Sequence, residues 1–172
     1  MNSDITVVLD RSGSMASVAE DTIGGFNTFL AEQQQIPGEA VLTLVQFDDV
    51  DAQELVYDAQ PIKAVAPLTT ERFRPRGNTP LLDALGKAIV RTGERLSALP
   101  EARRPAKVIF VVITDGHENA SHEYTRQQVF DMVTHQRERY AWKVLFLGAN
   151  QDAIAEAARY GVPPAMAATY AG

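Results

Sequence analysis

A three-layer α/β domain, with a mostly parallel central sheet, one antiparallel edge strand and helices on both faces, is the fold this 172-residue sequence predicts. Three observations predict it. The runs Ile5–Leu9 and Lys107–Thr114 are short, rich in β-branched residues and almost wholly apolar, as strands buried on both faces of a parallel sheet are. The runs Ala40–Phe47 and Glu54–Ile62 are separated only by Asp48-Asp49-Val50-Asp51-Ala52, too short for a crossover helix, so they pair antiparallel at a sheet edge. The order along the chain is strand, helix, hairpin, helix, strand, helix, strand, helix, which implies right-handed crossovers between parallel strands.

Each element has its local reason. Ile5–Leu9 is expected to be the central strand. Ser17-Val18-Ala19-Glu20 has capping-box spacing, and Ile23, Phe26, Phe29 and Leu30 then recur at helical spacing as far as Ile36-Pro37-Gly38. The acids of the Asp48–Ala52 connection read as a solvated turn, because a calcium loop needs a longer ligand run with a Gly and a terminal Glu. Lys63–Asn78, with two Pro, one Gly, three Arg and no clean period, reads as a surface loop. Thr79-Pro80 then opens a helix, with Thr as N-cap and the stripe Leu81, Leu82, Leu85, Ala88, Ile89 and Leu96 behind it.

The strand Lys107–Thr114 stops at Asp115-Gly116. Thr125-Arg126-Gln127-Gln128 is a second capping box, leading a helix through Val129, Met132 and Val133 to about Arg139. Trp142–Leu147 is the next strand, closing with Gly148-Ala149-Asn150. A short Ala-rich helix, Asp152–Tyr160, is stopped by Gly161 and Pro163, and Ala165–Tyr170 has room for a short final strand.

Composition bounds the function. With 45% hydrophobic and 22% charged residues, the chain reads as one globular domain spanning 1–172. A net charge of −6 without a long basic run argues against nucleic acid or an anionic membrane as partner. No apolar stretch reaches the roughly 18 residues of a spanning helix, and Met1-Asn2-Ser3-Asp4 leads into a strand without a signal-peptide pattern, so the expected compartment is the cytoplasm. The absence of cysteine removes disulfides, thiolate metal sites and a cysteine nucleophile together, leaving oxygen and nitrogen groups to carry function.

Those oxygens gather at strand ends. Asp10, Ser12 and Ser14 are spaced i, i+2, i+4 directly after the first apolar run, so a loop curling over the strand end can aim three oxygens at one point. Such hard oxygens suit Mg²⁺ or Mn²⁺, with Ca²⁺ less favoured. Ligands of open α/β sheets bind beyond the carboxyl ends of the strands. Asp115 leaves a second buried strand at that edge, and Thr79 opens a helix there.

The set Asp10-Arg11-Ser12-Gly13-Ser14, Thr79 in Gly-Asn-Thr-Pro and Asp115 in Ile-Thr-Asp-Gly resembles the metal-ion-dependent adhesion site of von Willebrand factor A (VWA) domains. The resemblance covers nearly the whole chain in element order and implies the Rossmann-like VWA fold. It also implies that Ser12, Ser14 and Thr79 offer hydroxyls to the ion, while Asp10 and Asp115 bind it directly or through water. Two carboxylates balance a divalent cation, which keeps an open position for a Glu or Asp of a partner protein. The expected function is a metal-dependent protein-binding module, not an enzyme. Stand-alone members of this type are bacterial and cytoplasmic, and work beside chaperone-like ATPases, chelatases or stress- and phage-defence systems. Typical members continue into one more helix after the final strand. Its absence here is expected to leave an apolar strip on one sheet face.

His117 and Glu118 read as solvated loop residues, and Arg11 and Arg76 as rim contacts for an acidic partner. The competing class is a metal-dependent phosphohydrolase, but a strand-end phosphohydrolase loop of the haloacid-dehalogenase type needs a second Asp where this chain has Ser12. Neither a phosphate-binding Gly-rich loop with its Lys nor a dinucleotide fingerprint follows the first strand.

Overall fold

The computed structural model describes residues 2–115 and 118–170. Strand β1 (Ser3–Asp10) leads through a 3₁₀ segment (Gly13–Val18) into α1 (Ala19–Gln35). The hairpin β2 (Ala40–Phe47) and β3 (Glu54–Pro61) follows, then α2 (Leu81–Ser97), β4 (Lys107–Thr114) and α3 (Arg126–Tyr140). Strand β5 (Lys143–Gly148), helix α4 (Gln151–Ala157) and the short strand β6 (Ala167–Thr169) complete the order.

The six strands form one sheet in the order β3-β2-β1-β4-β5-β6, with every pair parallel except β2–β3. This is the three-layer arrangement that the sequence predicts. Pleat alternation divides the core. Ile5, Val7 and Leu9 face α1 with its Phe26 and Leu30, whereas Val8, Phe110, Val112, Val144 and Phe146 face α2, α3 and α4. The sheet reverses its order between β1 and β4, whose carboxyl ends therefore flank the crevice of an open α/β sheet. Among the described residues no helix is long and apolar enough to cross a membrane.

Some local expectations are overturned. Ser17 does not cap α1, because the chain is already winding as 3₁₀ helix over Gly13–Val18, and α1 starts behind Val18 with no side-chain cap. The capping box of α3 does form: Thr125 Oγ1 accepts from the Gln128 amide at 3.1 Å, and the Gln128 side chain accepts from the Thr125 amide at 2.8 Å. The stretch from Lys63 to Asn78 is more than a surface loop. Val65, Leu68 and Phe73 are buried in the α1-side core, and the Asn27 side chain holds both the N–H and the C=O of Leu68.

The apolar strip is small. On the α1 face Ile109, Leu145 and Leu147 are half-buried, and the Tyr170 ring packs over Gly25 while its hydroxyl meets Thr22 Oγ1 at 2.8 Å.

Candidate metal centre

Asp10 closes β1 and is fully buried. The ladder to β2 runs one residue further, with the Arg11 amide donating to the Phe47 carbonyl at 2.9 Å. The chain then turns back. The Ser12 amide donates to Asp10 Oδ1 at 2.8 Å, the Met15 amide donates to the Ser12 carbonyl at 2.9 Å, and the Met15 side chain is fully buried as the loop's apolar anchor. This geometry sets Ser12 Oγ 3.1 Å from Ser14 Oγ, and the Ser14 hydroxyl donates to the Asp115 carboxylate.

The parallel pairing of β1 with β4 brings the second strand end alongside. Leu9 stands opposite Ile113, so Thr114 comes level with Asp10 and donates its hydroxyl to Asp10 Oδ2 at 2.7 Å. Four of the five predicted residues, Asp10, Ser12, Ser14 and Asp115, thus share one hydrogen-bonded cluster of oxygens.

Thr79 arrives on a third segment. The Gly13 amide donates to the Gly77 carbonyl at 2.9 Å and the Arg76 amide donates to the Arg11 carbonyl at 2.7 Å, which lays residues 76–77 along the 10–14 loop. Thr79 is 2% exposed, its amide donates to Asn119 Oδ1 at 2.8 Å, and its carbonyl accepts from the Asn119 amide at 3.0 Å. Thr79 is not the N-cap of α2 that its place before Pro80 suggests. The first amides of that helix go to side chains of another loop: Leu82 to Glu118 Oε1 at 3.1 Å and Asp83 to Ser121 Oγ at 3.0 Å.

Burial first, and then the nearby Asp115, push the Asp10 carboxyl up from 3.8 to about 6, against the opposing donors Ser12 and Thr114. Among the described residues, no Lys, Arg or His forms an ion pair with Asp10. A buried carboxylate held only by neutral donors is an uncompensated charge, and an all-oxygen set with two carboxylates is the chemistry that a small hard divalent cation prefers. The residues therefore fit such an ion. Among the described residues, no group of three or more His, Asp or Glu is arranged to hold a metal, so hydroxyl oxygens would have to complete the set.

The flanking residues differ from expectation. Arg11 is no rim residue: it is 6% exposed, its guanidinium donates to the Arg74 carbonyl at 2.7 and 3.1 Å, and it holds both oxygens of Glu54 at 3.0 and 3.2 Å. Glu118 is half-buried and committed to α2 rather than solvated, and His117 lies outside the described residues. The sequence reading passed over Thr114, Asn119 and Ser121. Only Thr114 carried a signal, as the hydroxyl preceding a strand-end acid; the others act across 38 to 40 residues of chain.

No family model and no curated protein matches the chain. Among solved structures it is similar to the manganese-loaded TRAP protein of Plasmodium vivax, with 12% identity, a TM-score of 0.61, and 98% of this chain covering 68% of that one. It is also similar to proximal thread matrix protein 1 from the mussel byssus, with 14% identity, a TM-score of 0.61, and 98% of this chain covering 41% of that one. At such identities the likeness concerns the fold, which is VWA-like.

Proposed function

We propose that this chain is a metal-dependent protein-binding module in which Asp10, Ser12, Ser14, Thr79 and Asp115 hold one divalent cation, Mg²⁺ or Mn²⁺ in preference to Ca²⁺. The observation that carries the reading is the fully buried Asp10, set beside Asp115 and, among the described residues, held by neutral donors of Ser12 and Thr114. The manganese-loaded state of the TRAP neighbour supports the same reading.

The protein's part is to hold geometry and charge. Asp10 and Asp115 supply the two negative charges, Ser12 and Ser14 are set by the turn that Asp10 itself organises, and Thr79 keeps its hydroxyl clear of helix capping. When bound, the ion would offer a Lewis-acidic position to a carboxylate of a partner protein. The partner is therefore a protein surface presenting Asp or Glu, and an ATPase or a stress- or defence-system component in the bacterial cytoplasm is the class this reading puts forward.

The test is a crystal soaked in Mn²⁺, read by anomalous scattering. Density among Asp10, Ser12, Ser14, Thr79 and Asp115 is the expected result; density elsewhere and none here would overturn it.

A further inference from the structure

The turn between β2 and β3 reaches well beyond its own hairpin. Asp48 is fully buried, and its Oδ1 accepts from the Val50 and Asp51 amides at 2.9 and 2.8 Å, which is all the turn itself requires. Its other oxygen is used elsewhere: Asp48 Oδ2 pairs with Arg76 and lies 3.6 Å from Arg11 Nε. The exposed Asp49 turns its whole carboxylate the same way. Oδ1 accepts from the Asn78 amide and Oδ2 from the Asn78 side-chain amide, both at 2.9 Å and 29 residues along the chain. The Asn78 amide, its side chain and the nearby Arg76 hold the Asp49 carboxyl below the usual range, as expected for a carboxylate that stays ionised to accept these bonds.

The backbone between these grips is shaped to receive them. Gly77 has φ of 71°, and a Cβ there would collide with the Asp49 carboxylate. Residues 76–78 are thus held on one side by Asp48 and Asp49 and on the other by the backbone of Arg11 and Gly13 in the metal loop. Thr79 is the next residue.

We propose that Asp49 is a positioning residue for the metal centre: through Asn78 it sets where Thr79 stands relative to Ser12 and Ser14, and so sets the affinity for a divalent cation. This role rests on the reading of the site given above. Partners that orient metal ligands without touching the ion carry a large share of affinity, and their loss costs about tenfold or more.

The experiment uses the full chain as wild type, Asp49→Ala and Asp49→Asn. It measures Mn²⁺ affinity by calorimetry, hydrogen exchange of the Asn78 amide in the metal-free protein, and the melting temperature without metal. Asp49→Ala is expected to bind Mn²⁺ about tenfold more weakly and to exchange the Asn78 amide faster. Its metal-free melting temperature should stay within about 2 °C, because the residue is exposed. Asp49→Asn keeps one acceptor for the Asn78 amide and should restore part of the affinity. Unchanged Mn²⁺ affinity or unchanged Asn78 exchange in Asp49→Ala overturns this role alone. Failure of the wild-type chain to bind Mn²⁺ overturns the site reading and this role with it.

Discussion

Strand β1 carries a buried aspartate at each end, and the two are stabilised by opposite means. Asp4, 2% exposed, receives both terminal nitrogens of Arg95 at 2.7 Å, and that hydrogen-bonded pairing raises the Arg95 guanidinium above its ordinary value. Asp10, fully buried six residues later, receives an amide and a hydroxyl and faces Asp115. One end of the strand is electrostatically closed within the chain, while the other is left negative and rising toward protonation. The same residue type at equal burial thus reads as structure at the amino edge of the sheet and, on the proposed function, as part of a cation site at the carboxyl edge.

The largest effect is expected at the closed end. Arg95→Ala leaves Asp4 buried without its cation, which should cost about 3 kcal/mol, the low side of the usual range for breaking such a pair. Water can reach Asp4 through the cleft of about 410 Å³ that it lines together with Arg95. Denaturant unfolding measures the loss, and the response to divalent ions should be unaltered. A loss confined to a few tenths of a kcal/mol would dissolve the contrast.

The open end should respond to what is added rather than removed. An ion that binds only the folded chain contributes RT ln(1 + [M]/Kd), about 2.7 kcal/mol at a hundredfold excess over Kd. Thermal melts in Mg²⁺ should therefore lie above melts in chelator for the wild type, and coincide for Asp10→Ala. Asp115→Asn relieves the repulsion between the two carboxylates and should raise the metal-free melting temperature while removing the Mg²⁺ response. Wild-type melts that coincide with and without Mg²⁺ would show that the open end holds no ion of useful affinity.

How far these two ends were legible in the sequence follows from the range of the interactions. The runs that became β2 and β4 were readable to the residue, because an apolar β-rich run bounded by turn residues states its own limits. The Asp10, Ser12 and Ser14 loop was legible for the same local reason, since its spacing and its strand-end position lie within ten residues. What stayed hidden depends on contacts across the chain. Arg11 looked exposed because nothing nearby reveals that Glu54 and the Arg74 carbonyl await it, and Asp49 looked solvated because its partner Asn78 is 29 residues away. Thr79 looked like a cap because Thr-Pro is a cap pattern, until Glu118 and Ser121 arrive from another loop to take that work.

A smaller effect separates the ends by pH. Burial raises the folded Asp10 carboxyl to about 6 against 3.8 in the unfolded chain, so between those values the folded state holds a proton that the unfolded state has released. This group's stabilisation of the metal-free protein is present below about pH 4 and is lost as pH rises to about 6. A divalent ion competes with that proton, so Mg²⁺ stabilisation should grow across the same window. Melts from pH 4 to pH 8, with and without Mg²⁺, check both slopes. A metal-free curve that climbs through the window would reverse the sign.

The smallest and most local test is Thr114→Val, which keeps the shape of a fully buried side chain and removes the hydroxyl that donates to Asp10 Oδ2 at 2.7 Å. That bond favours the ionised carboxyl, so its loss should move the Asp10 titration further upward. Above pH 6, where Asp10 is charged, the variant should be less stable than wild type by about 1.5 kcal/mol, the low side of the usual worth of a hydrogen bond to a charged group. Near pH 5 the carboxyl carries its own proton and needs the donor less, so the two proteins should draw together. The midpoint of the Mg²⁺ response should shift to higher pH by the same displacement, because ion and proton compete for one carboxylate. Carboxyl NMR of Asp10 in the two proteins reads the shift directly. Equal midpoints would mean that the Thr114 hydroxyl leaves the charge of Asp10 to other groups, and the open end of β1 would then be stabilised by something besides neutral donors.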